Sequence, residues 1–165
     1  MNMTTAPFAW KSVVAALASA AVLGACSTPP AKPEPALKDG AAAPASLIEP
    51  YIKIGDTLRN DSIEGVSADA NQLASAAKTL GPQAAKVDAA AVALASTTGI
   101  SDAREKFADV SDAVVGLVDE MHLKLPDGVR VAVCPMKRKP WMQKDAEIHT
   151  NPYYGAAMPG CGAFR

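Results

Sequence analysis

The residues best suited to chemistry in this chain are sulfur-bearing side chains near its carboxyl end. Cys134 is separated from Met136 by one residue, and Met158 is separated from Cys161 by two residues. Thiolate and thioether sulfurs are soft ligands, which select ions such as Cu(I), and by extension Ag(I), over the harder metals that carboxylates prefer. If the fold brings the two pairs together, the pairs would supply up to four sulfur ligands.

The same two cysteines also suit a disulfide. Paired cysteines of exported proteins often cross-link because their compartment is oxidising. A bridge that closes a loop of about 28 residues would stabilise the fold by roughly 3.5 kcal/mol in the chain-entropy description. The segment from Cys134 to the C-terminus is irregular in pattern, and such long segments are usually functional or cross-linked. A metal site and a disulfide therefore both remain open, and a redox change could convert one into the other.

The first 26 residues indicate export. Lys11 is their only charged side chain, and an apolar run of small residues follows it. A run of about fourteen residues suits a signal peptide and is shorter than the roughly twenty residues of a membrane-spanning helix. The run ends in Leu-Gly-Ala-Cys, which resembles the lipobox of bacterial lipoproteins and implies that Cys26 is lipidated. Ser27 follows instead of the aspartate that commonly retains such proteins at the inner membrane, which favours the periplasmic side of the outer membrane.

Three regions follow from composition and pattern. Residues 1–25 are predicted to be a lipoprotein signal peptide, residues 26–46 a lipidated cysteine with a Pro/Ala-rich tether, and residues 47–165 the folded domain. Apolar residues recur at helical spacing in four segments of that domain, the first from Glu49 with Pro50 in its opening turn. We expect an all-α fold, a small antiparallel bundle of about four helices. One short strand, Val129–Val133, and an irregular metal-binding loop would complete it.

Charge and motifs exclude other classes of function. The net charge of −1 gives no reason to expect nucleic-acid binding. The chain has no metalloprotease motif, no glycine-rich phosphate loop and no nucleophile elbow. We therefore expect a protein that is not an enzyme and whose membrane contact is through its N-terminal lipid.

The C-terminal residues also carry a family resemblance. The series CPM, Trp141, NPYYG from Asn151, Met158 and Cys161 with the following glycine is similar to a bacterial family of domains of unknown function. Members occur as small exported proteins and as C-terminal extensions of periplasmic adaptor subunits of copper and silver efflux pumps. The resemblance spans residues 47–164. It implies a helical bundle with a metal-associated C-terminal segment, and an efflux adaptor or another copper carrier as partner.

The resemblance implies a ligand set of Cys134, Met136, Met158 and Cys161. The chain departs from the family pattern at Met142, where a leucine is usual, and around His149, where a single basic residue is usual. These two residues are therefore additional candidate ligands. The expected function is that of a periplasmic lipoprotein that binds Cu(I) or Ag(I), for copper buffering or hand-over to efflux. The alternative is a structural or interaction lipoprotein of the envelope with a Cys134–Cys161 disulfide and no metal.

Overall fold

The chain is mainly helical in the computed structural model, which describes residues 37–165. The helices of this part are α1 Ala45–Arg59, α2 Val66–Leu80, α3 Ala85–Ala95 and α4 Ile100–Glu120, with a 3-10 turn, Pro82–Ala84, before α3. Each helix packs against the next, and α1 also packs against α4. The predicted four helices are confirmed. No helix between residues 37 and 165 is long and apolar enough to cross a membrane.

The longest helix, α4, shows how the pattern produces the packing. Its buried side chains recur at steps of three and four residues, which places them on one face. Most of this face is aliphatic, with one aromatic ring and one hydroxyl: Ala103, Phe107, Ala108, Val110, Ser111, Val114, Val115, Leu117 and Val118. Burial of this face against the neighbouring elements fixes α4 in the core.

Helix α1 begins at Ala45, before the predicted start at Glu49, and Pro50 lies inside it. Leu47 and Ile48 are almost completely buried. Burying two such side chains contributes about 1.5–3 kcal/mol each, whereas an interior proline costs roughly 3 kcal/mol. The burial therefore favours a helix that continues through the proline.

The structured part also begins before the predicted boundary at residue 47. The Gly40 amide donates to the Met121 carbonyl at 2.8 Å, and the Ala43 amide donates to the Lys124 carbonyl at 2.9 Å. Residues 40–43 are therefore part of the fold, not of a tether. Residues 1–36, and with them the predicted signal peptide and Cys26, lie outside the described residues.

The C-terminal part contains a three-stranded antiparallel sheet, so the fold is mostly helical but not purely all-α as predicted. Its strands are β1 Arg130–Cys134, β2 Lys139–Gln143 and β3 Ala163–Phe164, in the order β2-β1-β3. Only β1 corresponds to the predicted strand. Strand β2 contains Pro140, which has no amide to donate, and an edge strand tolerates this loss. The proline and the basic residues around it hide the strand from pattern analysis.

The segment between β2 and β3 covers one face of this sheet. Paired residues of antiparallel strands share a face, so the pairing of Ala132 with Trp141 and of Cys134 with Lys139 puts these side chains on one side. A methyl group at Gly162 would lie 3.2 Å from Trp141 Cζ3, so the returning backbone runs directly over the indole.

A row of aromatic rings joins the helices to this covering segment. The rings of Tyr51 and Phe107 stack with centroids 5.3 Å apart, Phe107 is 6.0 Å from Tyr153, and Tyr153 meets Trp141 edge to face at 6.0 Å. Trp141 is 1% exposed, so its ring packs in the core. The row fixes the C-terminal segment against α1 and α4.

Candidate functional site

The structure brings Cys134 and Cys161 together. Cys134 is the last residue of β1 and is fully buried, and Cys161 is half-buried just before β3. Strand β3 pairs with β1 through Ala132 and Val133, so the returning chain reaches the end of β1 at the cysteines. The two thiols lie close enough for Cys134 to raise the pKa of Cys161, and they are not cross-linked. Both the metal site and the disulfide predicted from the sequence require the two cysteines to be close together.

Two N–H groups point at the Cys134 sulfur. The backbone amide of Lys137 donates to Cys134 Sγ at 3.3 Å, within the turn between β1 and β2. The side-chain amide of Asn151 donates to the same sulfur at 3.6 Å. These two contacts tie the Cys134 sulfur to the β1–β2 turn and to the loop that begins at Asn151.

The surroundings of Cys161 favour its neutral thiol. Burial raises the pKa of Cys161, and the neighbouring Cys134 raises it further through charge repulsion and a hydrogen bond. Two thiolates side by side repel each other, so the second proton is held more tightly. A cation bound by both sulfurs would remove this repulsion and release the proton.

The two methionines of the predicted set lie in turns beside the thiols. Met136 is in the β1–β2 turn and is 64% exposed. Met158 is half-buried, and its carbonyl accepts the Cys161 amide at 3.4 Å in a tight turn. Each methionine therefore lies within three residues of a thiol along the chain, and the side chain of Met136 is open to solvent.

The two additional candidates differ in position. Met142 pairs with Val131, and Cys134 pairs with Lys139. Because successive residues of a strand alternate between faces, Met142 lies on the face opposite Cys134, where it is 2% exposed. The structure does not bring Met142 to the thiol pair.

His149 lies nearer to the sulfur site, although its side chain faces solvent. Its carbonyl accepts the amide of Gly160 at 2.9 Å, which places its backbone beside the residue before Cys161. Its ring nitrogen Nε2 is 3.9 Å from a Glu147 carboxylate oxygen.

The loop from Asn151 to Ala156 is held by an ion pair that the sequence did not reveal. Arg104 on α4 donates from Nη2 to Asp61 Oδ1 at 2.6 Å and from Nε to the Pro152 carbonyl at 3.2 Å. Asp61 Oδ2 accepts the Ala156 amide at 3.1 Å. Arg104, and then the Ala156 amide, hold the pKa of Asp61 below its usual range. We call Asp61, Arg104 and these two loop groups the Arg104 latch.

Asn151 also has a structural role that the sequence pattern did not assign. Its Oδ1 accepts the amides of Tyr153 and Tyr154, each at 3.0 Å, and its Nδ2 donates to the Cys161 carbonyl at 2.8 Å. An asparagine before Pro-Tyr-Tyr-Gly is a signal for a turn built on the side-chain oxygen. The signal was present in the sequence, but the contacts with the cysteines depend on tertiary structure.

The basic run after Cys134 anchors the turn to α4. Lys137 forms an ion pair with Glu105, and Lys139 forms one with Asp112. These pairs connect the β1–β2 turn to the helix that also carries the Arg104 latch. The helix therefore holds both segments that contain the cysteines.

The two cysteines, with the methionines near them in the chain, offer a set of sulfur donors. Within residues 37–165, no group of three or more His, Cys, Asp and Glu side chains is placed to hold a metal ion. Met136 and Met158 are the sulfur side chains next to the two thiols in the chain, as candidates for further ligands. Such a soft set suits a monovalent soft ion.

Comparisons with known proteins do not extend this description. No family model, no curated protein and no solved structure matches the chain. The family resemblance of the CPM and NPYYG motifs stays a prediction.

Proposed function

We propose that this protein binds one soft metal ion, Cu(I) or Ag(I), through Cys134 and Cys161. The observation that carries the proposal is that the fold brings the two free thiols together at the junction of β1 and β3. Met136 and Met158 complete the proposed ligand set, because each lies within three residues of a thiol.

The chemistry of the pair favours a cation. Burial, and then repulsion from the neighbouring Cys134, raises the pKa of Cys161 and so favours its protonated form. A bound Cu(I) replaces that proton with a positive charge, and thiolates bind soft ions in preference to hard ones. Binding therefore releases protons and weakens as the pH falls.

The exposure of the site fits transfer of the ion. Cys134 is buried, whereas Cys161 is half-buried and Met136 is exposed, so one side of the site is open to solvent. Another carrier could approach from that side, and exchange between sulfur ligands requires no redox step at the metal. The proposed role is copper buffering or hand-over to an efflux system, with no catalytic activity.

The proposed setting is the periplasmic side of the outer membrane, with a lipid on Cys26 as the anchor. The lipobox-like sequence before Cys26 supports this setting. The partner would be an efflux adaptor or another copper carrier, as the family resemblance implies. In this proposal the four helices form an antiparallel bundle, since short connections join helices that pack on each other, and the bundle acts as the scaffold of the site.

The alternative function is a structural or interaction lipoprotein with a Cys134–Cys161 disulfide. The same proximity of the two thiols favours it, because adjacent thiols oxidise readily in an oxidising compartment. A thiol count on protein isolated from the periplasm without reductant separates the two functions. Free thiols favour the metal site, and a complete disulfide favours the structural role.

The test is a Cu(I) titration of residues 27–165 in competition with a chromophoric chelator. We expect one equivalent to bind tightly, and a Cys134→Ser/Cys161→Ser variant to lose this binding. Met142→Leu is the matched control, because Met142 lies on the opposite face of the sheet and the substitution conserves volume.

The thioethers are tested with Met136→Leu and Met158→Leu, each of which should weaken binding without abolishing it. If the reduced parent protein does not compete with the chelator, the proposed function is wrong.

A further inference from the structure

Asn151 connects the two cysteine segments through a single amide group. It is fully buried. One side-chain N–H contact is with Cys134 Sγ at 3.6 Å and the other is with the Cys161 carbonyl at 2.8 Å. The oxygen of the same amide binds the Tyr153 and Tyr154 amides. Every polar atom of this side chain is therefore used.

We propose that Asn151 is the positioning residue of the sulfur site. Asn151 holds the Cys161 backbone close to Cys134 and so sets the effective concentration of one thiol at the other. The metal-binding half of this inference rests on the proposed function, whereas the thiol-positioning half does not.

The two contacts of the Asn151 amide have opposite consequences, and their strengths decide between them. The bond to the Cys161 carbonyl holds the segments together and favours any state in which the two sulfurs act jointly. The bond to Cys134 Sγ favours the reduced sulfur over a disulfide. Sulfur is a weak acceptor and this contact is the longer one, so the carbonyl bond dominates.

The consequence is measurable in the thiol–disulfide equilibrium without any metal. Oxidation by glutathione disulfide proceeds through a mixed disulfide: one cysteine thiolate displaces a glutathione thiolate, and the second cysteine then displaces the other. One protein disulfide forms, one glutathione disulfide is consumed, and two glutathione thiols take up the two protons. The equilibrium constant rises with the effective concentration of the two protein thiols.

Two substitutions remove the bridge and keep the turn. In Asn151→Asp and Asn151→Ser an oxygen remains to accept the Tyr153 and Tyr154 amides, as serine does in related turns. Neither variant keeps the N–H groups that reach Cys134 and Cys161. We expect both to lower the equilibrium constant for disulfide formation by roughly two- to tenfold, the range of one neutral hydrogen bond, and to lower Cu(I) affinity by a similar factor.

The readout separates positioning from mere stabilisation. A residue that only stabilised the fold would lower the melting temperature and leave the glutathione equilibrium of the folded protein unchanged. If both variants fold and their equilibrium constants stay within about twofold of the parent, which is less than one hydrogen bond contributes, the inference is wrong.

A measurement on the unsubstituted protein covers the case in which the variants do not fold. The Asn151 side-chain amide protons should exchange with solvent far more slowly than those of Asn71, whose amide donates to the Ser67 carbonyl on the exposed face of α2. Equal exchange rates would overturn the proposal.

The outcomes for the inference and for the proposed function are distinct. If the parent does not bind Cu(I) but the two variants shift the glutathione equilibrium, Asn151 positions the thiols and the metal-binding proposal fails. If Cu(I) binds and the equilibrium does not move, the metal-binding proposal stands and the role of Asn151 is refuted.

Discussion

Alanine substitutions at Gly155 and Gly160 test whether the Arg104 latch fixes the loop that leads to Cys161. Both glycines have positive φ, 55° and 70° respectively. A methyl group at Gly155 would overlap Asp61 Oδ1 and Arg104 Nη2 and would lie 2.8 Å from Asp61 Cγ. A methyl group at Gly160 would meet no atom closer than 3.6 Å. Gly160→Ala is therefore the matched control for the backbone conformation.

The expected magnitudes follow from these contacts. A left-handed backbone costs a residue with Cβ about 1–2 kcal/mol, and both variants bear this cost. Overpacking at Gly155 adds about 1–3 kcal/mol, because the Asp61–Arg104 pair has to separate or the loop has to move. We expect a loss of free energy of unfolding of about 2–5 kcal/mol for Gly155→Ala and about 1–2 kcal/mol for Gly160→Ala.

The assay is urea unfolding of both variants and the parent, followed by circular dichroism. Thermal unfolding provides a second measure, in which Gly155→Ala should melt at least about 3 °C below Gly160→Ala. Equal losses in the two variants would show that the Asp61–Arg104 pair does not restrain Gly155, and the argument from the latch would fail.

Three further predictions concern the scaffold and the latch. Tyr51→Phe removes the hydroxyl that binds the Ser111 hydroxyl at 2.7 Å and the Met142 amide at 3.2 Å, and should cost about 1–3 kcal/mol in urea unfolding because buried groups lose their partner. Gly116→Ala places a methyl group in open space inside α4 and should stabilise by about 0.5–1 kcal/mol; a loss would contradict the helical assignment. Because the pKa of Asp61 is lowered in the fold, its stabilising contribution is present above the ordinary aspartate pKa of about 3.9 and is lost as the pH falls through the lower folded value. The Asp61→Asn variant should therefore lose less free energy of unfolding than the parent as the pH falls through that acid range. Identical dependence of the free energy of unfolding on pH in the two proteins would show that Asp61 does not stabilise the fold in this way.

The helical part of the fold could be predicted because its information is local. Leu73, Ala77 and Leu80 recur at helical spacing, and the helix ends at Leu80, just before the Gly81-Pro82 pair that typically stops a helix. Periodicity of this kind survives any tertiary arrangement in which one face is buried. The start of α1 was harder to place, because the burial of residues before Pro50 depends on what packs against them.

The sheet could not be predicted because its information is not local. Strand β3 has only two residues, too few for an alternating pattern, and β2 contains a proline. Both become strands because β1 offers two edges, and pairing with it satisfies their backbone groups. The local patterns of a single sequence do not show that β2 and β3 pair with β1.

The sulfur residues of the candidate site could be predicted from the sequence, but the residues that hold them in place could not. Soft ligands at short spacing stand out in the sequence, and the fold places Cys134 beside Cys161 as both interpretations require. Arg104 and Asp61 are separated by 43 residues in the chain, and no local pattern connects them.

The contacts that fix the C-terminal loop explain why a small loop proposed to bind metal would require a helical domain. Each ordered residue costs about 1–2 kcal/mol of conformational entropy, and an irregular loop lacks the apolar burial that would offset this cost. The Arg104 latch, the aromatic row and strand β3 connect the loop to buried elements that are already ordered. The side-chain amide of Asn151 then restrains both cysteine segments through its hydrogen bonds to Cys134 Sγ and the Cys161 carbonyl. Because the position of Cys161 is set by α1, α4 and β1, a change in the helices should alter the reactivity of the thiols without touching a sulfur atom.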